Sequence, residues 1–163
     1  MPHPHAFPVF LSAAAVALLA GVPARAADTA AAAPSHERRL SPADYREVDL
    51  RTLVPAARTG GQRVIFAPTP VRFRARLAAL PAPQKADYLM GALALMRVDN
   101  PPNVGQRIGL DYGGEKGLAA YVEDGVARRI ASQVKLGESR SYSALHVYND
   151  SKGPALLITG FDD

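Results

Sequence analysis

The chain contains no cysteine. That excludes disulfides, thiolate nucleophiles and Cys-ligated zinc or iron–sulfur centres, so the fold must depend on packing and main-chain pairing alone. Histidine is almost as scarce. Of the four present, His3 and His5 lie in an apolar leader and His36 in an alanine-rich stretch, leaving His146 alone in the patterned part of the sequence. No G-x-S-x-G elbow, H-E-x-x-H, Walker, G-x-G-x-x-G or EF-hand pattern occurs. Asp162 and Asp163 are adjacent carboxylates at the end of the chain, a poor arrangement for a metal. Nothing in the spacing of Asp87, Asp111 and Glu115 brings them together as a hydrolytic pair. The inventory therefore argues against an enzyme, and no cofactor or metal is expected.

Long hydrophobic runs are missing too. The longest, Val9 to Gly21, is shorter than the roughly 20 apolar residues needed to span a bilayer. It suits the hydrophobic region of a signal peptide, and Ala24-Arg25-Ala26 follows with the small-x-small pattern of a cleavage site. Pro23 leaves the scissile segment extended. Met1 to Pro8 hold no Lys or Arg, a departure from the usual start of such a peptide. The alternative, an uncleaved anchor, is disfavoured by the length of the run. Residues 1–26 are thus expected to be a cleaved signal peptide that sends the protein to the periplasm, 27–40 a flexible leader, and 41–163 a single domain. With no cysteine there is no lipoprotein anchor, and no later segment is apolar enough for membrane insertion. The formal net charge of +4 falls by one with Arg25. So mild a bias does not define a partner, and export argues against nucleic acid.

The rest of the chain is punctuated by turns and alternation. Ser41-Pro42-Ala43-Asp44 reads as a helix start, predicting a short helix through Tyr45 and Val48. After Thr59-Gly60-Gly61, Arg63 to Ala67 is β-branched and aromatic, and Val71 to Leu77 alternates strictly apolar then basic, the mark of a half-buried strand. Pro68 and Pro70 imply a bulge or bend within it, and Leu80 to Pro83 is expected to close it. Ala86 to Val98 suits a helix face and a strand equally. Asp99 to Asn103 is a turn, Gln106 to Tyr112 a strand. Leu118, Val122, Val126, Ile130 and Val134 recur every fourth residue and predict one long helix, ended by Lys135 and Gly137, with Gly125 explained by close packing and Asp124 paired to Arg128. Ser141 to Tyr148 and Ala155 to Phe161 flank a strong turn.

Taking Ala86 to Val98 as a strand, the chain is mainly β with one prominent helix. Its element order is a long bent strand, two strands, a helix and a closing hairpin. In that order, over Gln62 to Phe161, it resembles the small exported OB-fold proteins of bacteria. The resemblance implies a five-stranded barrel with the helix between its third and fourth strands. It rests on element order and carries no functional residues across. If Ala86 to Val98 is a helix, an open α+β sheet is the alternative.

Two groups are candidate ligand contacts. Arg72, Arg74 and Arg76 project from one strand face at steps of about 6.5–7 Å, and guanidinium forks suit phosphates and carboxylates. The bland reading is a solvated face that discourages edge pairing. Tyr142, His146 and Tyr148 share a face of the fourth strand with Ala144, where aromatic rings stack on a base or sugar or simply complete the core. Gly113 to Gly117 reads as a tight turn into the helix rather than an anion cradle. The function expected is a periplasmic, non-enzymatic binding module for an extended ligand, such as an anionic oligosaccharide or a segment of an envelope protein. The alternative is an assembly protein of the cell envelope that uses the same barrel as a protein–protein surface.

Overall fold

The computed structural model describes residues 40–162. The expected signal peptide and all but the last residue of the expected leader lie outside the described residues. The architecture is mainly β, with one six-stranded mixed sheet and three α-helices.

The predicted helix through Tyr45 and Val48 does not form. A 3-10 turn spans Pro42–Asp44, where the Ser41 N–H donates to the Asp44 carboxylate at 2.6 Å. A two-residue strand β1 (Arg46–Glu47) comes next, and helix α1 (Leu50–Ala56) starts only after Asp49, whose side chain accepts the Arg51 N–H as an N-cap.

Strand β2 (Val64–Pro83) is 20 residues long and runs on through Leu80 to Pro83 instead of closing there. Its alternation is strict where the sequence alternates: Val71, Phe73, Ala75 and Leu77 are buried, whereas Arg74 and Arg76 are exposed and Arg72 half-buried. Proline cannot donate to a ladder, and β2 slips register against its neighbour between Ile65 and Thr69, the stretch that holds Pro68.

Ala86 to Val98 contains helix α2 (Asp87–Leu95) rather than a strand. Leu89, Ala92 and Leu93 are buried, at the i, i+3, i+4 spacing of one helix face. The next strands are β3 (Gln106–Asp111) and β4 (Leu118–Val122), and then comes helix α3 (Asp124–Gln133). The expected long helix is therefore split, its first five residues forming a strand. Glu123 is extended (φ −59°, ψ 137°) and separates the two. Gly113 to Gly117 consequently joins two strands. Gly125 meets no close packing, since a Cβ there would find nothing nearer than a Glu123 carboxylate oxygen at 3.6 Å. Asp124 accepts the Gly105 N–H at 2.9 Å instead of pairing with Arg128. The helix ends at Gln133, before Lys135.

Strands β5 (Ser139–Asp150) and β6 (Gly153–Phe161) form a hairpin closed by Ser151-Lys152. The strand order is β1-β2-β3-β4-β6-β5, and β5 pairs back onto β2, so five strands make a ring. It closes because β2 is long enough to pair with β5 over Val64 to Arg76 and with β3 over Arg76 to Pro83. A helix at 87–95 thus coexists with a closed ring, and the open α+β sheet that was the alternative for this case does not arise.

The buried side chains form two apolar clusters. Inside the ring, Phe73, Leu77, Ile108, Leu110, Tyr142, Leu156 and Ile158 pack with Leu50 and Val54 of α1 and Val126, Ala127 and Ile130 of α3. Outside it, Leu89 and Leu93 of α2 cover Val147, Tyr148, Ala155 and Leu157. No helix among the described residues is long and apolar enough to cross a membrane.

Candidate functional site

The arginine row lies on the outer face of β2. Arg72, Arg74 and Arg76 stand opposite Ser143, Ser141 and Ser139 of β5. Two of the three are already paired with acids. Arg72 contacts Glu47 at 3.4 Å and also bonds Asp162, while Arg76 reaches Asp111 at 3.4 Å. Arg74 donates to the Ser139 hydroxyl at 3.1 Å. Exposed ion pairs of this kind add little stability but leave less charge for a ligand.

The aromatic trio is split. Tyr142 is wholly buried inside the ring, its hydroxyl without a partner among the described residues, and burial pushes its pKa up to about 12. His146, 7% exposed, faces Leu156 across the hairpin, meets Phe66 edge-on at 4.8 Å and shares a 2.6 Å hydrogen bond with Asn149. Between His146 and Tyr148 the β5–β6 register shifts, so Val147 and Tyr148 both turn outward against α2. Tyr148 therefore does not share a face with Tyr142.

Burial lowers the pKa of His146 from its usual 6.5, although the Asn149 bond opposes this. The unfolded chain binds the proton more readily than the fold, so stability is full above about pH 6.5 and declines as pH falls towards the folded value. The urea midpoint is expected to drop between pH 7.5 and 5.5, and to drop less in His146→Gln. Identical losses in both proteins would show that the imidazole does not contribute.

A third group of residues defines a cleft of about 610 Å³. Its floor is the outer face of β3 and β4, where the cross-strand pairs Gly109–Ala119 and Arg107–Tyr121 lie side by side. One wall is the β5–β6 hairpin, with Asp150, Ser151 and Lys152, and the Asp150 carboxylate accepts the Lys152 N–H at 2.7 Å. Beyond the end of α1, the Thr59 N–H donates to the Asp150 carbonyl at 3.0 Å, which places Arg58 at the rim. At the other side the Arg63 guanidinium lies 4.0 Å over the Tyr88 ring, Tyr88 meets Tyr148 edge-on at 5.0 Å, and the Tyr148 and Tyr121 hydroxyls are 3.5 Å apart. Burial pushes the Tyr148 pKa up, with the Tyr121 bond adding to it. The Tyr148 ring stays a neutral hydrogen-bonding group near neutral pH.

Arg58, Arg63, Arg107, Lys116 and Lys152 line this cleft, all exposed, against the single carboxylate of Asp150. None of the five takes part in the ion pairs found among the described residues. Of the six ligand contacts expected from sequence, only Tyr148 borders the cleft, although Lys116 and Gly117 of the Gly113 to Gly117 turn, which the sequence disfavours as an anion cradle, also line it. The five cations come from five separate segments with no common spacing. The one local signal was the alternation of Arg107 with buried Ile108 on β3. Among the described residues no three His, Asp or Glu side chains gather as a metal site. Comparisons of this chain with protein-family models, with curated proteins and with solved structures find no match.

Proposed function

We propose that this chain is a non-enzymatic binding module exported to the periplasm, built on an OB-type barrel, which holds an extended anionic ligand in the cleft over β3 and β4. The observation that carries the reading is the charge of the cleft: five exposed cations without ion-pair partners among the described residues face one carboxylate. On the arginine row, by contrast, Arg72 and Arg76 are paired with acids.

The ring order supports the barrel. Numbered within the ring, the strands β2, β3, β4, β6 and β5 run 1-2-3-5-4, with α3 between the third and fourth. In such barrels ligands cross the second and third strands, flanked by the loop joining the first two strands and the hairpin joining the last two. Here those parts are β3 and β4, the 84–105 connection bearing α2, and Ser151-Lys152. The Val9 to Gly21 run and Ala24-Arg25-Ala26 supply the case for export.

Titrating the protein with oligoglutamate and with a neutral oligosaccharide, monitored by amide NMR, tests this. Oligoglutamate is expected to shift Arg107, Ala119, Tyr121 and Lys152, with affinity falling steeply between about 50 and 300 mM salt. Shifts centred on Arg72, Arg74 and Arg76 would move the site to the β2–β5 face. An affinity indifferent to salt would favour the assembly role instead.

A further inference from the structure

We infer that the ligand is an acidic peptide segment, which joins the sheet as an added strand along β4 where β4 parts from β6. The inference rests on the anion-binding reading above and gives its chemical class. β4 pairs with β3 along its whole length but with β6 only at Tyr121 and Val122. At that short junction the Glu123 N–H donates to the Ile158 carbonyl at 3.0 Å. Main-chain directions alternate along a strand, so Glu123, Tyr121 and Ala119 turn their N–H and C=O groups to the same side. At Ala119 no β6 residue is paired.

The facing edge of β6 begins at Gly153-Pro154, and Pro154 has no N–H to offer across the gap. Pro154, Ala155 and Ala119 all border the cleft, so the unpaired edge of β4 and the cationic walls belong to one space. The floor beside it is low. Ala119 faces Gly109, and a Cβ on Gly109 would lie only 2.9 Å from that of Ala79.

A free strand edge recognises any extended polypeptide through main-chain bonds, while flanking side chains choose among sequences. Arg107, Lys116 and Lys152 choose for carboxylates. A glycan or nucleic acid would satisfy the charges but has no repeating amide to meet Ala119.

Four probes decide the matter: N-acetyl-(Val-Glu)4-amide, the same peptide N-methylated at every residue, which keeps its charge but has no main-chain N–H within it to donate, dT8, and a heparin tetrasaccharide. The Val-Glu peptide is expected to bind about tenfold or more tighter than its N-methylated form, as loss of main-chain pairing allows. It should also slow amide exchange at Ala119 by about tenfold. Ala119→Pro, which removes the donor, should lose a similar factor. If that variant does not fold, the peptide pair and the exchange of the unaltered protein still decide. Equal affinity for the two peptides, unchanged exchange at Ala119, or a preference for dT8 or the tetrasaccharide would overturn strand addition while leaving anion binding intact. No binding of any probe at low salt would overturn both.

Discussion

Phe73→Ala is expected to lower the unfolding free energy by about 3–5 kcal/mol, the usual cost of removing a buried phenylalanine. Phe73 is 1% exposed, at the centre of the ring, and its side chain tilts against Tyr142 with centroids 6.0 Å apart. Its strand, β2, is bonded on both sides, to β5 and β3, and to β1 by a short parallel pairing. Hydrogen-bonded strands cannot move in to fill the space, so the void persists and the loss sits high in the range. A domain of this size has about 5–15 kcal/mol in total, and without cysteine no cross-link offsets the loss. Arg74→Ala, one residue on and facing outward, should change stability by no more than about 0.5 kcal/mol. Urea denaturation of the two variants measures the contrast. Similar small losses in both would mean that Phe73 does not face the interior.

That contrast was legible in the sequence, since Val71 to Leu77 alternates so cleanly that only a half-buried strand accounts for it. Two other elements were not. A spacing of four residues approximates one helical turn but is also a multiple of two. Leu118, Val122, Val126, Ile130 and Val134 fit both periods, and Ala120, buried between the first two, belongs to the strand reading. The extended Glu123 that separates strand from helix has no proline or glycine to announce it. Conversely, Ala86 to Val98 forms a helix although Leu95 is 65% exposed, because the outward side of β5 and β6 is apolar and needs a cover. One expected strand was lost and one gained, so five strands still close the ring, with the second and third drawn from different residues than expected.

The site was less legible than the fold, for a related reason. The local pattern favoured Arg72, Arg74 and Arg76 because they are close in sequence, yet closeness to one another does not separate them from carboxylates. Glu47, Asp111 and Asp162 come from distant positions and engage two of the three. The bulge after His146 is equally silent in sequence, and it moves Tyr148 from the face of Tyr142 to the border of the cleft. Tertiary structure thus removed charge from the conspicuous cluster and assembled another from scattered residues.

Reversing two cleft charges, Arg107→Glu with Lys152→Glu, is expected to weaken oligoglutamate binding about a hundredfold or more at low salt. Each charge-assisted hydrogen bond contributes about 1.5–3 kcal/mol, or roughly tenfold or more in affinity, and reversal adds repulsion to the lost contact. One residue stands on the floor, on β3, and the other on the wall made by the β5–β6 turn, so a ligand filling the cleft meets both. Neither side chain belongs to an ion pair among the described residues, and both are exposed, so the fold should tolerate the change. Salt dependence gives a second readout, because the variant should lose most of the slope that the unaltered protein shows. Arg74→Glu is the matching control, an exposed cation of the arginine row, expected to alter affinity less than about threefold. Calorimetric titration of the three proteins separates the two faces of the sheet. If Arg74→Glu abolishes binding while the double variant retains it, the ligand lies along β2 and β5, and the cleft is not its site.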